Sequence, residues 1–144
     1  VGNDERLWRH ERYGAVLARA RHRLPRAAIM LTAMPADQRV AEMLAESVHG
    51  AAIPLSFSDV MAAVATADLV ITPDTAITHV ASGFQTPTLA LMRKNTQHWA
   101  PYRTPGTVAF GDIGPRLEPG LPEARVVAAL DQLISTLGPE RGWL

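Results

Sequence analysis

The hydrophobic pattern of the chain switches repeatedly between helical spacing and short, unbroken apolar runs. At the amino-terminal end the spacing predicts a helix over about 7–23, which Pro25 ends. Its apolar positions are Leu7, Tyr13, Val16, Leu17, Ala20 and Leu24. The run AAIMLT, at 27–32, is nearly all apolar, as expected for a strand that is covered on both faces.

The same alternation continues to the end of the chain. Pro35 at a first helical position opens a second helix, and AAIPL, at 51–55, predicts a weak strand that its proline confines to an edge or an end. Ser56 and Asp59 have the spacing of a capping box and open a third helix. Strands are predicted at DLVIT, TPTLALM and TVAF, with a helix between the first two. The last apolar stripe, at 126–137, is the clearest helix.

Strands and helices therefore alternate, with connections of a few residues and no internal repeat. This order predicts a Rossmann-like α/β fold, in which a parallel sheet carries helices on both faces and residues 1–144 form a single domain. In such a sheet, ligands bind beyond the carboxyl ends of the strands, where helix N-termini offer unpaired amide donors and a partial positive charge.

Composition narrows the class of protein. The formal net charge is +0, so no overall field favours nucleic acid or anionic lipid as a partner. The absence of cysteine excludes disulfides, thiolate metal sites and cysteine nucleophiles, and it fits a reducing, cytoplasmic compartment. No apolar run approaches the roughly 20 residues of a membrane span. Because the chain opens on Val1 rather than methionine, we expect it to be a piece of a longer protein.

Arginines crowd the beginning of the chain and are expected to form a solvated helix face. They are Arg6, Arg9, Arg12, Arg19, Arg21, Arg23 and Arg26. The remaining candidate chemistry lies elsewhere, after the apolar run at 69–72.

A polar cluster follows that run. Pro73 stops the predicted strand, and Asp74 and Thr75 occupy the turn at its carboxyl end. Thr75 is a candidate N-cap of the helix that follows. The amides then left unpaired are expected to face a phosphate; they are those of Ala76, Ile77 and Thr78.

His79 completes this candidate site. It lies four residues after Thr75 and therefore on the same side of the helix, so that one face would carry a hydroxyl, free amides and an imidazole. A structural interpretation stays open, because Asp and Thr are common helix caps and a single histidine in an amphipathic helix is often structural. The stretch lacks a glycine-rich phosphate fingerprint, so the spacing alone does not decide between the two.

The stretch ADLVITPDTAITHVASGFQTPTLALM, at 67–92, resembles the donor-side motif of the heptosyltransferases of lipopolysaccharide core synthesis, glycosyltransferase family 9. In that family an Asp-Thr/Ser-Gly-x-x-His-x-Ala signature follows a buried strand and precedes a Thr-Pro-Thr strand. RLW, at 6–8, is similar to the family's Lys-x-Trp segment, and WAP, at 99–101, also matches. The resemblance implies the carboxyl-terminal half of a two-domain GT-B glycosyltransferase, whose amino-terminal acceptor domain is absent from this chain.

By this resemblance the diphosphate and the sugar of a nucleotide-sugar donor bind to five residues, Asp74, Thr75, Ala76, Ile77 and His79. Arg6 would replace the family's lysine as a phosphate partner, which keeps the charge but changes a compact ammonium into a planar fork. Asp37 or Gln38, at the start of the second helix, falls near the family's acidic ribose contact. The family's general base lies in the amino-terminal domain, so no catalytic residue is assigned in this chain.

The activity that the resemblance implies is transfer of a sugar, by analogy a heptose, from a nucleotide diphosphate donor such as ADP-heptose. The acceptor would be a lipopolysaccharide-type saccharide, bound through the missing domain. The family uses no metal, so no cofactor is expected. The implied location is cytoplasmic and peripheral at the inner membrane face, with no nucleic-acid partner.

Two departures from the family pattern keep other functions open. Ala76 stands where the family has glycine, and the loop after Met92 reads RKNT in place of a glycine-containing turn. Arg93 and Lys94 in this loop are either phosphate contacts or ordinary surface residues, while Trp99 is expected to pack the loop. The alternatives are a non-catalytic nucleotide-binding or interaction module and an α/β enzyme related to sugar-nucleotide epimerases.

Overall fold

Helices and strands alternate along residues 7–144, the part of the chain that the computed structural model describes. The α-helices are α1 (Tyr13–Arg23), α2 (Gln38–Ser47), α3 (Phe57–Thr66), α4 (Ala76–Phe84) and α5 (Glu123–Arg141). The strands are β1 (Met30–Leu31), β2 (Ala51–Ala52), β3 (Val70–Pro73), β4 (Thr88–Arg93) and β5 (Gly106–Gly111). Short 3-10 helices occupy His10–Arg12, Pro35–Asp37 and Lys94–Trp99. The predicted α/β alternation is confirmed.

The strands pair in parallel and form two sheets. β1 pairs with β2, and a second sheet has the order β3-β4-β5. The parallel α/β class is therefore confirmed. The first two strands are only two residues long, much shorter than the apolar runs at 27–32 and 51–55. No ladder joins β1 to β3 within the described chain, so the strands do not form the one continuous sheet that was predicted.

The central strand of the larger sheet, β4, is buried along its whole length. Leu89 and Leu91 belong to the main core together with residues of α1 and α5. Because side chains alternate along a strand, Thr88, Ala90 and Met92 face the opposite side, where α4 packs on β3 and β4. Helices therefore cover both faces of this sheet, as the apolar run TPTLALM predicted.

Gly106 fixes how closely β5 approaches β4. Its φ is +135°, and a Cβ atom built there would lie 2.0 Å from the backbone oxygen of Thr88. Only glycine combines that dihedral with that space, so a side chain at this position would push the start of β5 away from the central strand.

The main core lies between the larger sheet and the pair α1 and α5. Its buried members are Trp8, Val16, Ala20, Leu89, Leu91, Ala109, Leu117, Leu121, Val126, Leu130, Leu133 and Ile134. Four of them form the inner side of α5, which confirms the predicted stripe at 126–137. α1 packs against α5 on one side and against α2 on the other, so it connects the helix over the small sheet with the helix over the large sheet.

Trp8 anchors the entry to α1. Its side chain is buried, its indole N–H donates to the backbone oxygen of Leu121 over 2.9 Å, and its ring meets Tyr13 edge-on at 5.0 Å. The backbone N–H of Arg9 donates to Glu118 over 2.9 Å. These long-range bonds hold residues 7–9 outside the helix, so the helix predicted from residue 7 begins later, as the short 3-10 turn and then α1.

The arginines of α1 are not the solvated face that their number suggested. Arg19 donates to both carboxylate oxygens of Asp131, over 2.8 and 3.0 Å, and Arg23 donates to one of them over 2.9 Å. Arg21 donates to the backbone oxygens of Val48 and Ala27. The side chains therefore connect α1 to α5 and to the loops beside β1 and β2.

We expect Asp131→Asn to lower the free energy of unfolding at pH 7 by about 1 kcal/mol, because it removes charge-assisted bonds from a partly exposed site. The hydrogen bond from Arg19, supported by Arg23, holds the pKa of Asp131 below its usual value. The stabilisation is therefore complete above the unfolded-state pKa and is lost as the pH falls through the lower folded-state pKa. Urea unfolding of both proteins at pH 7 and at about pH 2.5 should show the difference shrinking in acid.

The matched control is Glu140→Gln, which neutralises an exposed carboxylate on the same helix. It should change stability by less than half as much at pH 7. An equal loss in both variants, or a loss at Asp131 that persists undiminished in acid, would contradict the ion-pair assignment.

Candidate functional site

The turn between β3 and α4 gathers threonine hydroxyls at the carboxyl end of β3. Thr75 is the N-cap of α4, and its Oγ1 accepts the backbone N–H of Ile77 over 3.3 Å, which confirms the predicted cap. The hydroxyls of Thr72 and Thr75 lie 3.2 Å apart. The hydroxyl of Thr78 donates back to the oxygen of Pro73 over 3.3 Å. The turn is therefore held by its own side chains.

Two of the three amides predicted to be free have partners inside the turn. Ile77 donates to the capping hydroxyl, and Thr78 donates to the backbone oxygen of Thr75 over 3.1 Å. The prediction was wrong for these two amides, because the cap and a tight first turn satisfy the donors that a helix start otherwise leaves open. The amide of Ala76 makes no hydrogen bond within the described chain, and this residue is exposed. The bond to Ile77 is long, so a stronger acceptor can replace the hydroxyl.

Asp74 and His79 lie in different environments. Asp74 is only 4% exposed and makes an interaction within the protein, so it is not a free surface carboxylate. His79 is exposed, on the same side of α4 as Ala76, while Thr78 and Ala81 are the buried residues of this helix. The exposed part of the turn is thus a helix N-terminus with one amide and one imidazole beside it.

No described bond joins the other two residues predicted to bind the nucleotide sugar to this turn. Asp37 ends the 3-10 helix after β1, where its carboxylate lies 3.7 Å from Nδ1 of His10. No hydrogen bond or ion pair within residues 7–144 joins it to the β3–α4 turn. Arg6 lies outside the described residues. The roles predicted for these two residues stay predictions.

The end of β4 differs from what the sequence suggested. Arg93 is buried, with 8% exposed, and its Nη1 donates to the oxygen of Pro115 over 2.7 Å, so it is not an ordinary surface residue. Lys94 is exposed. Trp99 is 56% exposed and contacts the ring of His98, so it covers little of the loop, contrary to expectation. The burial of Arg93 could have been inferred from its position in the sequence, directly after an apolar strand.

A cleft with a volume of about 420 Å³ opens directly after β5, at the same carboxyl edge of the parallel sheet as this turn. It is lined by residues 112–116 and 118–120. We favour the β3–α4 turn as the candidate functional site, because a helix N-terminus with an exposed imidazole can bind an anion.

Within residues 7–144 no cluster of histidine and acidic side chains has the composition of a metal site. None of the helices in the same range combines the length and the apolarity needed to cross a lipid bilayer.

Three solved structures with a similar fold are heptosyltransferases. E. coli ADP-heptose lps heptosyltransferase II superposes with a TM-score of 0.74 at 15% identity, over 94% of this chain and 44% of that chain. E. coli heptosyltransferase WaaC with ADP-2-deoxy-2-fluoro heptose gives 0.71 at 21% identity, over 94% and 40%, and WaaC with ADP gives 0.73 at 19%, over 92% and 42%. This chain therefore spans less than half the length of the proteins that it resembles.

The sequence itself carries the family signal. No match was found among curated protein sequences. The model of glycosyltransferase family 9 (heptosyltransferase), however, matches residues 2–116, which is most of the 144-residue chain and includes the β3–α4 turn. The chain therefore belongs to glycosyltransferase family 9.

Proposed function

We propose that this chain is the donor-binding part of a heptosyltransferase-like enzyme. The donor is ADP-heptose, and the acceptor is a lipopolysaccharide-type saccharide held by an amino-terminal domain that this chain does not include. Family membership supports the proposal, as do the ADP and the ADP-sugar analogue named with the similar WaaC structures.

One observation carries the proposal. The N-terminus of α4, capped by Thr75, lies at the carboxyl end of β3, with the amide of Ala76 and the imidazole of His79 on its exposed side. A helix N-terminus has a partial positive charge, and here the amide of Ala76 makes no hydrogen bond within the described chain, which suits the diphosphate of a nucleotide sugar.

The proposed reaction breaks the bond between the anomeric carbon and the diphosphate oxygen. The electron pair stays on that oxygen, so negative charge grows on the leaving diphosphate while the acceptor hydroxyl attacks and loses its proton. Donors at the α4 N-terminus stabilise this charge, each charge-assisted hydrogen bond contributing about 1.5 to 3 kcal/mol. The group that accepts the proton belongs to the missing domain, and this chain supplies binding and charge stabilisation.

The remaining assignments complete the proposal. Arg6 binds the phosphates and Asp37 the ribose, as the family resemblance implies, with Thr75, Ala76, Ile77 and His79 at the diphosphate and the sugar. Asp74 is a donor contact by the same resemblance, and it reaches the donor from a buried position in the turn. The enzyme acts in the cytoplasm, at the membrane face where a lipid-linked acceptor is accessible, and without a metal cofactor. These last points rest on the resemblance.

His79→Ala is expected to weaken ADP binding by the 144-residue chain by about 10-fold, because it removes one donor to the diphosphate. The melting temperature should stay within about 2 °C of the original value, since an exposed imidazole contributes little to the core. Calorimetric titration with ADP and with adenosine checks this, and only the ADP affinity should fall.

His22→Ala is the matched control, because His22 is an exposed histidine of α1. It should leave both affinities unchanged. Equal losses of ADP and adenosine binding in the His79 variant, or a large loss of stability, would show that His79 does not act at the diphosphate.

Thr75→Ala should lower the free energy of unfolding by about 1 kcal/mol, because α4 loses its N-cap, and it should weaken ADP binding as well. Thr75→Ser keeps a capping oxygen and should retain most of the stability and most of the ADP affinity. Thermal unfolding and ADP titration of the two variants provide the comparison.

Thr66→Ala serves as the control, since the Thr66 hydroxyl bonds to the preceding turn at the end of α3. This substitution should leave the ADP affinity unchanged. Loss of stability without any loss of ADP affinity in Thr75→Ala would make the cap purely structural and would count against the proposed site.

A further inference from the structure

The segment from Trp8 to Arg12, called the entry segment, leads into α1 and is held by the loop after β5. The indole N–H of Trp8 and Nη1 of Arg12 both donate to the backbone oxygen of Leu121, over 2.9 and 3.0 Å. The carboxylate of Glu118 accepts the backbone N–H of Arg9 over 2.9 Å and lies 3.2 Å from Nε of Arg12. The entry segment is therefore fixed to this loop at both of its ends.

His10, in the middle of the entry segment, contacts a different part of the protein. Its Nδ1 lies 3.7 Å from Oδ1 of Asp37, the last residue of the 3-10 helix that follows β1. The entry segment thus contacts residues that follow a strand in each of the two sheets, β5 in the large sheet and β1 in the small one. In this class of fold, ligands bind beyond the carboxyl ends of the strands.

His10 is the side chain that pairs with the Asp37 carboxylate. Within residues 7–144 no other side chain forms an ion pair or a hydrogen bond with it, and the nearby cation of α2, Arg39, lies 3.9 Å from Glu42 instead. The side chains of His10 and Asp37 are 36% and 38% exposed, so the pair is partly shielded but open to a ligand. A separation of 3.7 Å is too long for a hydrogen bond, so the attraction acts through the charge of a protonated imidazole.

We propose that His10 is a positioning residue for the ribose of the donor nucleotide, because its imidazolium holds the Asp37 carboxylate in the orientation that accepts the ribose hydroxyls. This inference rests on the proposed function, in which Asp37 binds the ribose. A carboxylate has two oxygens and about four lone-pair sites. Oδ1 of Asp37 can therefore face His10 while Oδ2 accepts from the sugar.

The effect on binding comes from preorganisation. An unrestrained aspartate side chain samples several rotamers, and the loss of that freedom opposes binding. A cation beside Oδ1 restricts the carboxylate in advance, provided that the cation itself is fixed. His10 meets this condition, because Trp8 and Arg12 on either side of it are bonded to Leu121. A partly exposed pair adds little to folding stability, so nucleotide affinity is the quantity to measure.

Calorimetric titration with ADP and with 2′,3′-dideoxy-ADP isolates the ribose contact, and at about pH 5.5 histidine side chains are largely cationic. The original chain should bind ADP about 10-fold more tightly than the dideoxy analogue, which lacks both ribose hydroxyls. His10→Gln should reduce this ratio to about 3 by weakening ADP alone, because the carboxylate is then no longer held. His10→Lys restores a cation and should recover most of the ratio.

His22→Gln, at an exposed histidine of α1, is the matched control and should leave the ratio at its original value. Asp37→Ala should by itself lower the ratio to about 2. Adding His10→Gln to Asp37→Ala should cause no further change, since a positioning residue has no effect once the residue that it positions is lost.

An unchanged ratio in His10→Gln, together with a lower ratio in Asp37→Ala, would overturn the positioning role and leave the proposed function intact. Equal losses of affinity for both nucleotides in His10→Gln, or no recovery in His10→Lys, would also overturn it, because the effect would then not pass through the ribose contact. An unchanged ratio in Asp37→Ala would contradict the ribose assignment in the proposed function, and the role of His10 would fail with it.

A measurement without ligand keeps the proposal testable if ADP binds too weakly for the variants to be compared. Three-bond coupling constants from nuclear magnetic resonance report the χ1 rotamers of Asp37. They should indicate one dominant rotamer in the original chain and in His10→Lys, and an average over several rotamers in His10→Gln. Rotamer averaging in the original chain, or the same single rotamer in His10→Gln, would overturn the proposal.

Discussion

Burial of β4 on both faces is the constraint on which the rest of the described fold depends. All six residues of Thr88–Arg93 are buried, so neighbours on both edges must satisfy the backbone and two layers of helices must cover the side chains. β3 and β5 supply the edges, α5 with α1 covers one face, and α4 covers the other. Arg93 ends this strand as a buried cation, a costly placement that its bond to Pro115 helps to offset.

Elements set by near neighbours could be predicted from the sequence. The caps at Ser56 and Thr75 depend on residues two or three positions away, and both form as expected. Features set by distant partners could not be predicted in this way. The start of α1 depends on bonds from Trp8 and Arg9 to the loop before α5, more than 100 positions along the chain. The extent of β1 and β2 depends on pairing, which an apolar run does not specify.

In the candidate site, too, features set by near neighbours could be predicted and features set by distant partners could not. Exposure of His79 follows from the helical spacing that puts Thr78 and Ala81 inside, so it could be predicted from the sequence. Burial of Asp74 could not, because a carboxylate in a turn has no local signal that tells a surface contact from an interior one. The amides of Ile77 and Thr78 were misjudged for a different reason: the capping residue that marks a helix start also consumes some of the donors there.

The packing of α1 on α5 has a consequence for how the chain folds. Trp8 and Leu121 are 113 positions apart, and Arg19 and Asp131 are 112 apart, so these contacts close loops that span most of the chain. During synthesis α1 leaves the ribosome about 100 residues before α5, its partner helix. The docking of α1 on α5 therefore waits for the synthesis of α5. Until α5 arrives, the apolar side of α1 is open to chaperones and to wrong partners.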